Sequence, residues 1–394
     1  MDQNDIVIVA AKRTPMGGML GTLSALTAPE LGAIAHKAVL EEAGIAPAEI
    51  DEVITGCVLQ AGIGQAPGRQ AAIKAGIPDS AGATTINKMC GSGMKAVMLA
   101  HDLIKAGTAN IVLASGMESM SNAPYLLPKA RSGYRLGHGE LKDHMFLDGL
   151  EDAYDRGRLM GVFAEATANH FKFTRSQQDE YATRSMTKAL QAQKDNAFAD
   201  EIAAVTIATR KGETTISLDE GPDASKLDKI SQLKPAFKND GTVTAANSSS
   251  ISDGAASLIL MTAAQATKRG LTPLARIVAH ASHAQAPEWF TTAPVDAIRK
   301  VMNKAGWSQD DVDLYEINEA FAVVAMAAIT QLELDESKVN IYGGACALGH
   351  PIGASGARIL VTLINALRRT NKTRGVAALC IGGGEATAMA VELC

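Results

Sequence analysis

A chain of 394 residues with 47% hydrophobic and 20% charged side chains can bury a large core, which excludes disordered, collagen-like and mucin-like architectures. Its 37 basic and 42 acidic residues leave a formal charge of -5 and no electrostatic footprint for nucleic acid or an anionic membrane, so neither is expected as a partner. Five widely spaced cysteines, with no CxxC or Cys/His metal spacing, fit a reduced, cytoplasmic protein without a metal centre.

The apolar run Ile6 to Ala10 reads as a strand and is too short for a signal-peptide core, so export is not expected. Helical patterning over Ala28 to Glu42, a strand over Ala83 to Ile86, a helix over Gly93 to Lys105 and a strand over Ile111 to Ala114 follow. Cys90 lies between the second strand and the helix from Gly93, in Asn87-Lys88-Met89-Cys90-Gly91-Ser92-Gly93. The positive end of a helix lowers a thiol pKa, which makes Cys90 a nucleophile candidate. A small buried hydrophobe is the plainer reading of most cysteines, but glycine on both sides of Ser92 lets the backbone approach a ligand and favours the functional one.

Residues 121–240 hold 17 Lys or Arg and 18 Asp or Glu, an enrichment expected of an exposed insertion rather than a third core. A strand over Ala255 to Met261 follows it, and Val312 to Ile317 reads as another. Asn318, in Asn318-Glu319-Ala320-Phe321-Ala322, opens an apolar helix and is either its N-cap or a residue that positions water. The apolar stretch Ala320 to Ile329 is too short to cross a bilayer. His350 sits in a turn of one proline and three glycines that feeds the helix Gly356 to Arg368, where it would stay neutral and available as a base. The strand Val376 to Ile381 carries Cys380 and runs into Gly382-Gly383-Gly384, which is either an anion-binding turn or a plain hairpin. This loop enters the strand Ala386 to Leu393, not a helix, so the nicotinamide-binding context is missing.

Three segments recur in order. Ala43-Gly44 with Glu49-Ile50-Asp51 parallels Ala305-Gly306 with Asp311-Val312-Asp313; Ser92-Gly93-Met94-Lys95 parallels Ser355-Gly356-Ala357-Arg358; and the strand ending at Glu118 parallels the one ending at Glu385. Two homologous halves are expected, each α/β with a mixed sheet covered on both faces, and the charge-rich segment interrupts the first half's hairpin.

Together, NxxCGSG around Cys90, NEAFA from Asn318, GHPxGxSGxR from Gly349 to Arg358 and CxGGGxA from Cys380 resemble the thiolase family, in its order and over essentially the whole chain. The resemblance implies an α/β thiolase fold, two βαβαβαββ halves layered αβαβα. The halves would be 1–119 plus 250–271 and 272–394, with a loop domain, 120–249, covering the coenzyme A site. It implies an acyltransferase that reversibly condenses two acetyl-CoA to acetoacetyl-CoA and CoA, with no tightly bound cofactor, in a homotetramer built as a dimer of dimers. Cys90 would carry the acyl group and His350 would deprotonate it. Cys380 would be the base of the condensation, Asn318 would hold a water, and the N–H groups of Cys90 and Gly382 would form an oxyanion hole. Ser249 is expected beside the pantetheine and Leu159 and Met160 in the pocket. Lys226, Lys229 and Lys234 are the candidates for the CoA phosphates.

The chain departs from the family pattern in three places. Ser250 and Ser252 replace a commoner Gly and Asn, where catalysis is not expected to depend on them; Leu159-Met160-Gly161 stands where many members read HMG; and no arginine occupies Leu218 to Lys229. Alternatives are a longer-chain 3-ketoacyl-CoA thiolase, a decarboxylating ketoacyl synthase, and a catalytically silent scaffold. Phe290 and Met160 either narrow the acyl pocket or belong to the core.

Overall fold

The computed structural model describes residues 2–209 and 212–394. Among these, ten strands form one mixed sheet. Its principal members are β1 (Ile6–Arg13), β2 (Glu52–Gly56), β3 (Gly82–Ile86), β4 (Ile111–Ser119), β5 (Ser252–Thr262), β6 (Ala275–Ala284), β7 (Leu314–Ile317), β8 (Arg374–Ile381) and β9 (Glu385–Leu393). They run in the spatial order β7-β8-β9-β6-β1-β5-β4-β2-β3, with Gly17–Gly18 beside β5.

The order states one motif twice. In the first half β5 lies antiparallel between β1 and β4, with β2 parallel to β4 and β3 parallel to β2. In the second, β9 lies antiparallel between β6 and β8, with β7 parallel to β8 and a parallel bridge from Tyr315 to Val339 where a fifth strand would stand. The halves join through the pairs Val7–Arg276 and Ile8–Ala275.

Strand periodicity explains the layers. Ile6 and Ile8 face a central core, whereas Val7 and Val9 face the opposite one. The central core holds helices α3 (Ser92–Lys105) and α8 (Ser355–Arg369), whose Met94, Met98, Leu360 and Ile364 pack against strands of both halves. Outside lie α1 (Ala28–Ala43) on the first half, and α6 (Ala293–Ala305) and α7 (Ala322–Leu332) on the second. The result is the five-layered αβαβα arrangement, and strands covered on both faces are why the runs read as wholly apolar.

Predicted elements are found within a few residues of their bounds, except that β4 continues five residues past Ala114. Three of its extra residues, Ser115, Glu118 and Ser119, are polar yet buried because their side chains have internal partners. Ser115 Oγ lies 2.9 Å from both His36 Nε2 and Thr55 Oγ1.

Strands β8 and β9 are joined by Gly382, Gly383 and Gly384, the last two with φ of +96° and +89°, where a side chain is strained. The equivalent strands β4 and β5 are separated by residues 120–251, which contain α4 (Met160–Phe171) and α5 (Arg175–Lys194). This segment is less exposed than its charge suggested. Phe163, Ala164 and Ala168 share a core with Phe290, Phe321 and Val323 of the second half. Some of its charges are also internal: Glu201 and Asp219 hold Arg13 of β1 at 2.5 and 2.6 Å, with all three side chains buried. Composition counts a buried ion pair and a solvated face alike. Among the described residues, no helix is long and apolar enough to cross a membrane.

Candidate active site

The two central helices approach each other at their N-termini. A Cβ on Gly93 would lie 2.7 Å from Ala357 N, and one on Gly356 would lie 2.3 Å from Met94 N, so glycine at these repeat-related positions is required by the crossing. The loops preceding α3 and α8 are thereby brought to one place. They carry Cys90 and His350.

Cys90 sits in a pinned turn. Lys88 N–H donates to Ser92 Oγ at 2.8 Å, Ser92 Oγ donates to Met89 O at 2.6 Å, and Met89 N–H donates to Asn87 Oδ1 at 2.9 Å. Between these bonds Met89 is held at φ +47°, a left-handed conformation costly for a long side chain. Cys90 follows, half-buried, with the N–H groups of Gly382 and of Cys90 itself directed at its sulfur. The expectation of a lowered thiol pKa is overturned: burial pushes it up to about 11, outweighing those two N–H groups. Burial strips the thiolate of its hydration, and at this sulfur the two N–H groups do not make up the loss.

His350 is buried, and its ring is pushed down to about 3, chiefly by burial and then by the Arg358 charge, so it is neutral as expected. Its Nδ1 lies 2.5 Å from Ser355 Oγ, which also lies 3.0 Å from Pro351 O. When the hydroxyl donates to Pro351 it accepts Nδ1–H and leaves Nε2 a base; when it donates to Nδ1, Nε2 carries the proton. Ser250 O and Ser252 Oγ both accept from His350 N–H, at 3.1 and 3.3 Å. Ser252, given no part in the sequence reading, therefore touches the histidine backbone.

Asn318 is not an N-cap, because α7 begins at Ala322 with Phe321 at its cap. Its side chain turns to His350, with Nδ2 3.5 Å from each ring nitrogen, and its buried Oδ1 has no partner among the described residues. Cys380, at the end of β8, is fully buried beside Phe163 and Phe290, and burial followed by the Cys90 charge raises its thiol well above the ordinary range.

Cys90, His350 and Gly382 line one cavity of about 540 Å³, together with Leu159, Met160, Ser249 and Phe290. Of the sequence-derived candidates, Asn318 and Cys380 stand behind its wall, and Lys229 lies outside it on the exposed turn Ala224–Gln232. Lys226 on that turn lines the cavity instead.

Two glutamates were missed. Glu118, wholly buried at the end of β4, accepts N–H bonds from Val58 at 2.9 Å, Leu59 at 3.0 Å and Gly353 at 2.9 Å, and so fastens the His350 turn to the first half. Burial raises its carboxyl to about 7 against those three donors. Its repeat counterpart, Glu385, pairs with Lys88 of the Cys90 turn. Each half's hairpin glutamate thus holds the other half's loop.

Residues 6–264 match the thiolase N-terminal domain and residues 271–393 the thiolase C-terminal domain. The chain belongs to the thiolase family. It is 51% identical to the acetyl-CoA acetyltransferase of Cupriavidus necator, over 98% of this chain and 99% of that protein. With acetyl-CoA acetyltransferase 2 of Arabidopsis thaliana it shares 50% identity over 100% of this chain and 98% of the relative. The crystal structure of the Bacillus anthracis acetyl-CoA acetyltransferase superposes with a TM-score of 0.97 at 42% identity, covering 99% of each chain. The thiolase fold expected from the motifs is the fold observed.

In this thiolase the high thiol pKa has a measurable consequence. At pH 7 a thiol of pKa about 11 is thiolate in only about one molecule in 10⁴. In the absence of substrate, alkylation of Cys90 by iodoacetamide should therefore quicken ~tenfold per pH unit between about pH 6 and 9, because the thiolate is the reacting form. A rate that levels off below about pH 8 would show instead a preformed thiolate–imidazolium pair.

Proposed function

We propose that the chain is an acyltransferase that reversibly condenses two acetyl-CoA into acetoacetyl-CoA and CoA through an acetyl group carried on Cys90. The observation that carries this reading is the convergence, on one cavity wall, of Cys90, His350 and the N–H groups of Cys90 and Gly382 at the sulfur. The name shared by the curated relatives supports the substrate.

His350 Nε2 takes the Cys90 proton as sulfur attacks the thioester carbonyl, and returns it to the departing CoA sulfur. Because the thiolate is scarce at rest, proton transfer accompanies attack. The oxyanion formed on the acetyl carbonyl sits where the N–H groups of Cys90 and Gly382 converge. For the second acetyl-CoA, Cys380, as the thiolate formed by loss of its proton to a solvent base, removes a methyl proton and returns it to the Cys90 sulfur when that sulfur departs. The enolate oxygen is met by Nε2–H of His350, with Ser355 donating to Nδ1, and by a water held at Asn318 Oδ1. The carbanion then attacks the acetyl carbon, and the Cys90 sulfur leaves.

Phe290 and Met160 both belong to the cavity wall, and narrowing by two large side chains favours a short acyl group over a long one. Ser248, Ser249 and Ser250 give the same cavity a polar side suited to a pantetheine. Lys226, with Lys229 and Lys234 further out, is suited to the phosphates. The halves 1–119 plus 250–271 and 272–394 are then the catalytic body, and 120–249 the cover of the CoA site.

The protein acts in the cytoplasm, consistent with cysteines spaced too widely in the sequence for a disulfide framework. It acts as a tetramer, supported by the unpaired edge of β3 and by the exposed apolar residues Tyr125, Leu136 and Leu141.

Acetyl-CoA supplied alone should yield acetoacetyl-CoA and free CoA. Absence of product from acetyl-CoA, with carbon dioxide released from malonyl-CoA, would establish a decarboxylating synthase instead.

A further inference from the structure

We propose that His101, Asp102 and His280 form a binding site for one divalent transition-metal ion, outside the lining of the cavity that holds Cys90 and His350. His101 and Asp102 lie near the C-terminal end of α3, in the first half, and His280 lies on β6, in the second. The register of β6 shifts between Ile277 and Ala279, and Ile277 packs in the central core while Ala281 packs in the outer one. His280 therefore projects from the inner face, toward α3.

Three donor atoms converge there. His101 Nδ1 and His280 Nε2 each lie 2.9 Å from Asp102 Oδ1 and 3.3 Å from one another. An ion about 2.0 to 2.2 Å from imidazole nitrogen and carboxylate oxygen places neighbouring donors about 2.9 Å apart at right angles and about 3.4 Å apart in a tetrahedron. All three separations fall in that interval. The two rings meet edge to face, with centroids 4.9 Å apart and an interplanar angle of 84°. Both histidine side chains are mostly covered, whereas that of Asp102 is 53% exposed, which leaves a solvent side for water to complete the coordination.

The donor chemistry selects the metal class. Two imidazoles and one carboxylate suit Zn²⁺, Co²⁺ or Ni²⁺, whereas Ca²⁺ and Mg²⁺ require more oxygen. Without an ion, Asp102 Oδ1 accepts both ring N–H groups. On binding, each ring would turn an unprotonated nitrogen to the ion and carry its proton on the other one. Lys304, whose Nζ donates to His280 O, is the opposing charge nearby. The ion would tie α3 to β6 across the seam where the halves share the pairs Val7–Arg276 and Ile8–Ala275.

The test uses the full chain, stripped with a chelator and treated with iodoacetamide at about pH 9, where Cys90 reacts, while Cys57, Cys346 and Cys380 are buried away from added metal. Titration with Co²⁺ should give visible ligand-field bands that saturate at one equivalent, without a sulfur-to-metal charge-transfer band, and Zn²⁺ should displace them and raise the melting temperature. His101→Ala, His280→Ala and Asp102→Asn should each weaken binding at least ~tenfold, about 1.4 kcal/mol, while melting like the parent in chelator. No saturable binding to the thiol-blocked protein, or binding unchanged in the three variants, would overturn the site and leave the three side chains a hydrogen-bonded cluster only. Neither outcome bears on the condensation reaction.

Discussion

Replacing Cys380 with Ser should slow exchange of the acetyl-CoA methyl protons with deuterated solvent by ~10²- to 10⁴-fold, the usual contribution of a general base. Acetylation of Cys90 should change far less. The asymmetry follows from placement. Cys380 is fully buried at the end of β8, beside Phe163 and Phe290, so in the proposed mechanism only the small methyl group of the second substrate, moving in from the cavity, meets it. Burial and the neighbouring Cys90 charge raise its thiol well above the ordinary range. Its thiolate is therefore scarce, but once formed it is a stronger base than an exposed thiolate, as removal of a proton from carbon requires. A serine hydroxyl fits the same space and does not ionise in this range. Proton exchange followed by NMR and acetylation followed by mass spectrometry separate the two steps. Equal losses in both would make Cys380 a structural residue of its aromatic cluster.

Much of this molecule was legible because periodicity and repetition are local signals. The runs Ile6 to Ala10 and Val376 to Ile381, and the helices opening at Gly93 and Gly356, were visible as apolar patterns, and the parallel between Ser92-Gly93 and Ser355-Gly356 pointed to two homologous halves, though not to the crossing of α3 and α8. What escaped depends on partners distant in the chain. Glu118 was aligned with Glu385 by the repeat, yet its partners are backbone N–H groups of Val58, Leu59 and Gly353, and backbone donors leave no mark in a sequence. The Cys90 pKa was misjudged for a related reason: the helix end is local and readable, whereas the burial that outweighs it comes from packing of both halves. Asn318 read equally well as a cap or a water ligand until the start of α7 at Ala322 excluded the cap. Lys229 and Lys226 share one exposed turn, and only the path of that turn brings Lys226 to the cavity.

The account stands or falls on where acetyl-CoA leaves its acetyl group. The protein should be incubated with acetyl-CoA alone, quenched in acid, digested and mapped by mass spectrometry, alongside Cys90→Ala. One acetyl group should appear on the peptide carrying Cys90, be lost when CoA is added in excess, and be absent from the variant, whose condensation activity should fall to background. Acetylation of another peptide, or a Cys90→Ala protein that still acquires acetyl groups and turns over acetyl-CoA, would contradict the assignment of Cys90 as the acyl carrier.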